Sequence, residues 1–270
     1  VTVTGVDDVT VDGSQTTPIT LSIDDVRSDD GFDALADQVV SVTTTNDDIA
    51  AFSVTESAGA SSVSETGTND TFTVVLDRQP LSTVVLNVAS GDNGEVAVTP
   101  STLTFTPTNW NLPRVVKVTG VDDVTVDGSV TTAITISVNA GLSDNAFDAL
   151  PTQTVSVTTT DDDIAAFTVT ESGIDTTVSE TGATDTFSVV LDRQPLTNVV
   201  FTVGSDDPGE ATVSVSTVTF TPADWNVAQT VTVTGEDDVT VDGPQSSTIT
   251  VAIDQSRTDA AFDALANQIV

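Results

Sequence analysis

The chain is 270 residues long and sets 41 Asp and Glu against 6 Lys and Arg, a formal charge of −35, with no Cys, His, Met or Tyr. That balance offers no basic footprint for a phosphate backbone, which excludes nucleic acid as a partner and an anionic membrane surface with it. Without His, Cys or Tyr, catalysis would rest on a carboxylate pair, and an aromatic content of 4% leaves no walls for the cleft such a pair needs, so the chain is read as not an enzyme.

The apolar fraction, 38%, is spread through short alternating runs, which an acidic disordered chain lacks. Those runs repeat. Residues 1–13, 116–128 and 231–243 read VTVTGVDDVTVDG, VKVTGVDDVTVDG and VTVTGEDDVTVDG, a spacing of 115 residues, and VSVTTTNDDIAAF at 40–52 returns as VSVTTTDDDIAAF at 155–167. A fixed period marks a tandem array, in which a structural or binding role gains from copying and an active site does not. The second tract joins one strand to the next through three acidic or amide residues, so the expected division is a C-terminal part of a repeat at 1–48, a complete repeat at 49–163, and a third at 164–270 that lacks its final strand end. No stretch approaches the roughly 20 apolar residues of a membrane helix, so no membrane insertion is expected in this segment. With no signal peptide visible and both ends lying inside repeats, the sequence is expected to be a segment of something longer.

In the complete repeat the predicted strands follow in order at 50–56 with 61–64, 71–76, 84–88, 95–98, 102–106, 115–119, 131–138 and 152–160. Their apolar residues alternate at period two, as in Phe72 and Val74, Leu103 and Phe105, Ile134 and Ile136, with Thr and Ser outward. Turn signals separate them at Asp77-Arg78-Gln79-Pro80, Gly91-Asp92-Asn93-Gly94 and Asp127-Gly128. About seven short antiparallel strands in roughly a hundred residues predict an all-β, immunoglobulin-like β-sandwich. FDAL at 32–35, 147–150 and 262–265 is expected as a single helical turn. Trp110 and Trp225, in NWN and DWN ahead of a strand, are expected as core or loop plugs rather than ligand-binding aromatics.

The acids collect where strands end. In the complete repeat these are Glu65 in VSETG, Asp92 in SGDNG, Asp122, Asp123 and Asp127 in GVDDVTVDG, and Asp161, Asp162 and Asp163 in the linker. Loops at one end of a sandwich converge, and six to eight carboxylates without a counter-charge repel, with no Lys or Arg placed to neutralise them. A hard divalent cation resolves this, and Ca²⁺ takes six to eight oxygen ligands in flexible geometry. The spacing at 123–128 imitates an EF-hand loop but fails at its twelfth position, which holds Ile134. Asp-Gly and Asp-Asp pairs also form turns with no ion, and a chain from a high-salt habitat carries excess Asp with no specific site.

At these residues the sequence resembles the Calx-β domain: an acidic triplet entering IAAFTVTES, an early Glu in VSETG, a Gly-rich acidic turn, and a strand leading into VTGxDDVTVDG. The resemblance covers the complete repeat and both partial ones. It implies that Glu65, Asp92, Asp122, Asp123, Asp127, Asp161, Asp162 and Asp163 hold a small Ca²⁺ cluster near the repeat junction. The third repeat would use Glu180, Asp207, Asp237, Asp238 and Asp242, and the first retains Asp7, Asp8, Asp12, Asp47 and Asp48, with Asn46 in place of the first triplet Asp. The function expected is a calcium-stiffened structural repeat of an extracellular or cell-surface stalk, fibre or large adhesin, with neighbouring repeats as partners. The alternative is an adhesion module that binds a ligand or copies of itself in a surface filament.

Overall fold

The computed structural model describes residues 1–241 and 243–270. In chain order the strands are β1 (Gln15–Leu21), β2 (Gln38–Thr44), β3 (Phe52–Glu56), β4 (Ser61–Ser64), β5 (Asn69–Leu76), β6 (Val84–Ser90), β7 (Val96–Thr99), β8 (Thr102–Phe105), β9 (Arg114–Gly120), β10 (Thr125–Val126), β11 (Val130–Val138) and β12 (Gln153–Thr160). They continue as β13 (Phe167–Glu171), β14 (Thr184–Leu191), β15 (Gln194–Pro195), β16 (Val199–Ser205), β17 (Ala211–Val213), β18 (Thr217–Phe220), β19 (Gln229–Gly235), β20 (Ile249–Ile253) and β21 (Gln268–Ile269). The chain is all-β, as the alternation predicts; among the described residues its helical content is two 3-10 turns, Ala140–Leu142 and Ala260–Phe262.

Two sheets build the complete repeat: a four-stranded one in the order β3-β5-β9-β7 and a five-stranded one in the order β4-β12-β11-β6-β8. The expected count of about seven strands becomes nine in these sheets. One reason is that the segments 50–56 and 61–64, taken together in the sequence, form separate strands that join different sheets. Period-two patterning buries one face of each: Phe72, Val74 and Leu76 from β5, Leu86 from β6, Val116 and Val118 from β9, Ile134 and Ile136 from β11, Val155 and Val157 from β12. Phe147 of the FDAL segment is fully buried in that core, and Leu150 donates its N–H to the Phe147 carbonyl at 3.1 Å, so the motif is a turn whose aromatic residue is a plug. Phe147→Ala is expected to cost about 3–5 kcal/mol, read as a lower urea midpoint with an unchanged slope. Trp110 packs partly buried against this core, as expected of a plug, and Trp225 does the same in the third repeat.

The third repeat copies the plan with sheets β13-β14-β19-β17 and β18-β16-β20-β21. Phe167, Phe201 and Phe220 stack in its core, the first pair with centroids 4.6 Å apart and the second edge to face at 6.1 Å. Of the first partial repeat, the antiparallel hairpin β1–β2 forms with Gln15 opposite Thr44 and Leu21 opposite Gln38, and most of its side chains stay exposed.

The chain forms two compact units. One is Val1–Val63, Gly67–Val121 and Thr131–Thr158; the other is Ser64–Thr66, Asp122–Val130 and Thr159–Val270. Three acidic segments of the complete repeat, those holding Glu65, Asp122 to Asp127 and the Asp161 triplet, thus belong to the second unit, with the third repeat.

Candidate metal centre

Within the second unit, three chain segments bring carboxylates to one point. Glu65 follows β4 and is held by its N–H donating to the Thr160 carbonyl at 3.1 Å. The Asp122–Val130 segment is shaped by two local devices. Asp123 accepts from the Thr125 N–H at 2.6 Å in an Asx turn, and Gly128 adopts φ 75°, a left-handed conformation that a side chain at this position would strain. Asp161 ties this segment to the linker: its Oδ2 accepts from the N–H groups of Asp127 at 3.1 Å and Gly128 at 2.8 Å, and its Oδ1 from Asp163 at 2.6 Å.

Carboxylate oxygens of Glu65, Asp123 and Asp163 then lie within 4.8 Å of one another. Glu65 is 2% exposed. Its Oε2, Asp127 Oδ1 and Asp163 Oδ2 are buried with no hydrogen-bond donor, an arrangement that costs free energy unless a proton or cation is supplied. Burial, followed by repulsion from Asp161 and Asp123, pushes Glu65 up to about 7, and an N–H from Asp162 offsets only part of this. Asp127 is also raised, first by burial and then by Asp123 and Asp161. The donor set is oxygen only, which suits a hard cation and offers nothing to a soft one.

One sequence expectation is corrected here: a basic residue is placed beside the acids. The Arg193 guanidinium pairs with Asp163 Oδ1, leaving Oδ2 without a donor, and in the first unit Arg78 pairs with Asp48 at 2.7 Å. Both arginines sit in the Asp-Arg-Gln-Pro turn, where the sequence showed only a turn signal. That turn also grips the chain. Thr125 and Val126 pair in parallel with Gln194 and Pro195, Gln194 donates to the Val124 carbonyl at 2.9 Å, and Val126 is buried in the third repeat's core. The first unit repeats this: Gln79 donates to the Val9 carbonyl at 2.9 Å, Val11 donates to the Gln79 carbonyl at 3.0 Å, and Val11 packs on the core.

The remaining predicted ligands are placed differently. Asp92 and Asp207 are exposed and serve their own turns, accepting from Gly94 at 2.8 Å and Gly209 at 3.0 Å; neither falls in a ligand group of three or more acids among the described residues. Asp122 and Asp162 are exposed beside the converging acids. Asp7, Asp8, Asp12, Asp47 and Asp48 line one cavity of about 630 Å³ in the first unit, with Asp8 repeating the Asx turn to Thr10 at 2.7 Å. In the third repeat Glu180, Asp237 and Asp238 are exposed; Asp238 keeps the Asx turn, to Thr240 at 2.7 Å, and Asp242 lies outside the described residues. Glu95, 6% exposed ahead of β7, is a buried acid that the sequence reading placed at the start of a strand and did not include among the candidate ligands.

No family model and no curated protein matches the chain. Solved structures do. The calcium binding domain CBD12 of CALX1.1 is 15% identical with a TM-score of 0.28, covering 74% of this chain and 79% of that one. Domains 4 and 5 of the S-layer protein SbsC are 18% identical with a TM-score of 0.32, covering 82% and 95%, and the E. coli chaperone DraB is 8% identical with a TM-score of 0.32, covering 76% and 91%. The β-sandwich assignment rests on the strand pairing itself, and the centre on its own geometry.

Proposed function

We propose that the chain is a calcium-stiffened structural repeat, a spacer of the Calx-β kind in an extracellular or cell-surface stalk, fibre or adhesin. The observation that carries this reading is the set of buried, donor-free oxygens on Glu65, Asp127 and Asp163, drawn from three segments that the chain folds together with the next repeat. Bound there, Ca²⁺ would supply two positive charges and accept oxygen ligands. Glu65, Asp123 and Asp163 would hold it, with Asp127 beside them. The chain's own part is to position these acids: Asp161 locks the loop to the linker, and Arg193 orients Asp163 while balancing one of the charges.

Without the cation the acids repel, and the loop is held by the Asp161 bonds, its pairing with Gln194 and Pro195, and the Val126 contact. With it, triplet, loop and Glu65 are cross-tied. The outcome is a stiffer connection between successive repeats, each adding roughly 40 Å of reach from strands of seven to nine residues at about 3.3 Å per residue plus loops. Small-angle scattering in low salt tests it: calcium should narrow the distribution of maximum dimensions and excess EDTA should broaden it. Identical profiles would defeat the proposal.

A further inference from the structure

The loop that carries Asp123 and Asp127 also reaches into a core other than that of its own repeat. By sequence Val126 belongs to the complete repeat, yet it is 8% exposed in one cluster with Phe167, Leu191 and Phe220 of the third. Its main chain is held there too: Thr125 and Val126 run parallel to Gln194 and Pro195, and the Gln194 N–H donates to the Val124 carbonyl at 2.9 Å. The first unit has the same arrangement 115 residues earlier. Val11 packs on the complete repeat's core, Thr10 bridges in parallel to Gln79, and the Gln79 N–H donates to the Val9 carbonyl at 2.9 Å.

Each partner is braced by bonds of its own. In the loop, Asp8 and Asp123 close Asx turns by accepting from Thr10 at 2.7 Å and Thr125 at 2.6 Å. In the turn that receives it, the side-chain amides of Gln79 and Gln194 donate to the carbonyls of Pro107 and Pro222, both at 2.9 Å. Partners already held in their bound shapes lose little entropy on meeting. The residues are copied as well: 6–13 and 121–128 both read VDDVTVDG, and 77–80 and 192–195 both read DRQP. A matched plug and socket therefore occurs twice, with the same register each time.

We propose that the Asp-Arg-Gln-Pro turn and the apolar core beside it form a binding site for the peptide Val-Asp-Asp-Val-Thr-Val-Asp-Gly, and that each repeat is completed by this loop of the repeat before it. Main-chain pairing sets the register, and the sixth residue of the peptide, Val, enters the core. The folding units are thereby offset from the sequence repeats: residues 122–130 fold with the third repeat, and residues 1–13 with the complete one. Stability then passes between nearest neighbours along the array. The site reads the chemistry of the loop and not its place in the chain. It operates with no cation bound, so it goes beyond the calcium reading: stripping the metal loosens the acids and leaves the plug seated.

The test uses the whole chain in EDTA with about 0.5 M salt, which screens the acids and removes metal binding from the result. Trp110→Phe leaves Trp225, which packs on the third repeat's core, as the fluorescent reporter of that repeat's unfolding in urea. Val126→Thr, which keeps the shape and places a hydroxyl in the core, should raise the unfolded-to-folded ratio of the third repeat roughly tenfold. Val124→Thr, at a position of the same loop that is 45% exposed, should leave the ratio unchanged. Added at millimolar concentration to a Val126→Asp chain, the peptide VDDVTVDG should lower the ratio roughly tenfold by binding the folded state, and the peptide VDDVTDDG should not. Equal ratios for Val126→Thr and Val124→Thr, or no difference between the two peptides, would overturn the proposal.

Discussion

Replacing Glu65 by Gln is expected to stabilise the metal-free chain by up to about 3 kcal/mol at pH 8 and to make its stability less dependent on pH. The carboxyl rises from its ordinary 4.5 to about 7 on folding. Between those values the folded chain keeps a proton that the unfolded chain has released, so stability falls as pH rises through that window. The penalty is complete above about 7 and vanishes below about 4.5, where both states are protonated. Gln keeps the shape without the charge. Urea denaturation in EDTA at pH 5 and pH 8 reads the effect as the difference between wild type and Glu65→Gln, because Asp127 adds a shift of the same sign to both. Parallel profiles for the two proteins would show that Glu65 is not the strained acid.

Calcium is expected to reverse that penalty. At a free concentration one hundred times its dissociation constant, a ligand confined to the folded state adds about 2.7 kcal/mol, which for a domain of this size raises Tm by roughly 10 °C. Near pH 7 the binding should release protons, because Glu65 is partly protonated in the metal-free fold and must ionise to serve as a ligand. Titrations in two buffers of different ionisation enthalpy would measure that release. Magnesium, which demands octahedral geometry and dehydrates reluctantly, should give a smaller gain than calcium. An equal rise in Tm with the same concentration of sodium charge equivalents would point to screening of the whole −35 charge instead.

The strands were legible because alternation of Val, Ile and Phe with Thr and Ser is a local signal, and β5, β9 and β11 lie where that signal places them. The sheet assignment of the first predicted pair of segments, 50–56 with 61–64, was not, since β3 and β4 go to different sheets through pairings that local sequence does not encode. Within the acidic set, Asp123, Asp127 and Asp163 could be picked out because their loops are copied every 115 residues. Asp92 belongs to the same copied pattern yet only braces its own Gly-rich turn, so repetition alone did not separate a turn former from an acid aimed inward. Arg193 was missed because its partner Asp163 lies 30 residues away, and Val126 because one valine in a polar loop carries no period. Both belong to contacts between consecutive repeats, which sequence periodicity within one repeat cannot reveal.

The most direct measurement is a calorimetric titration of Ca²⁺ into the chelator-stripped chain at pH 7.5, run beside Glu65→Gln and Asp163→Asn. Wild type should show saturable binding, and each substitution should weaken it by at least tenfold while circular dichroism shows the β-sandwich intact. Absence of saturable heat in wild type, or unchanged affinity in both variants, would contradict a calcium centre built from Glu65, Asp123 and Asp163.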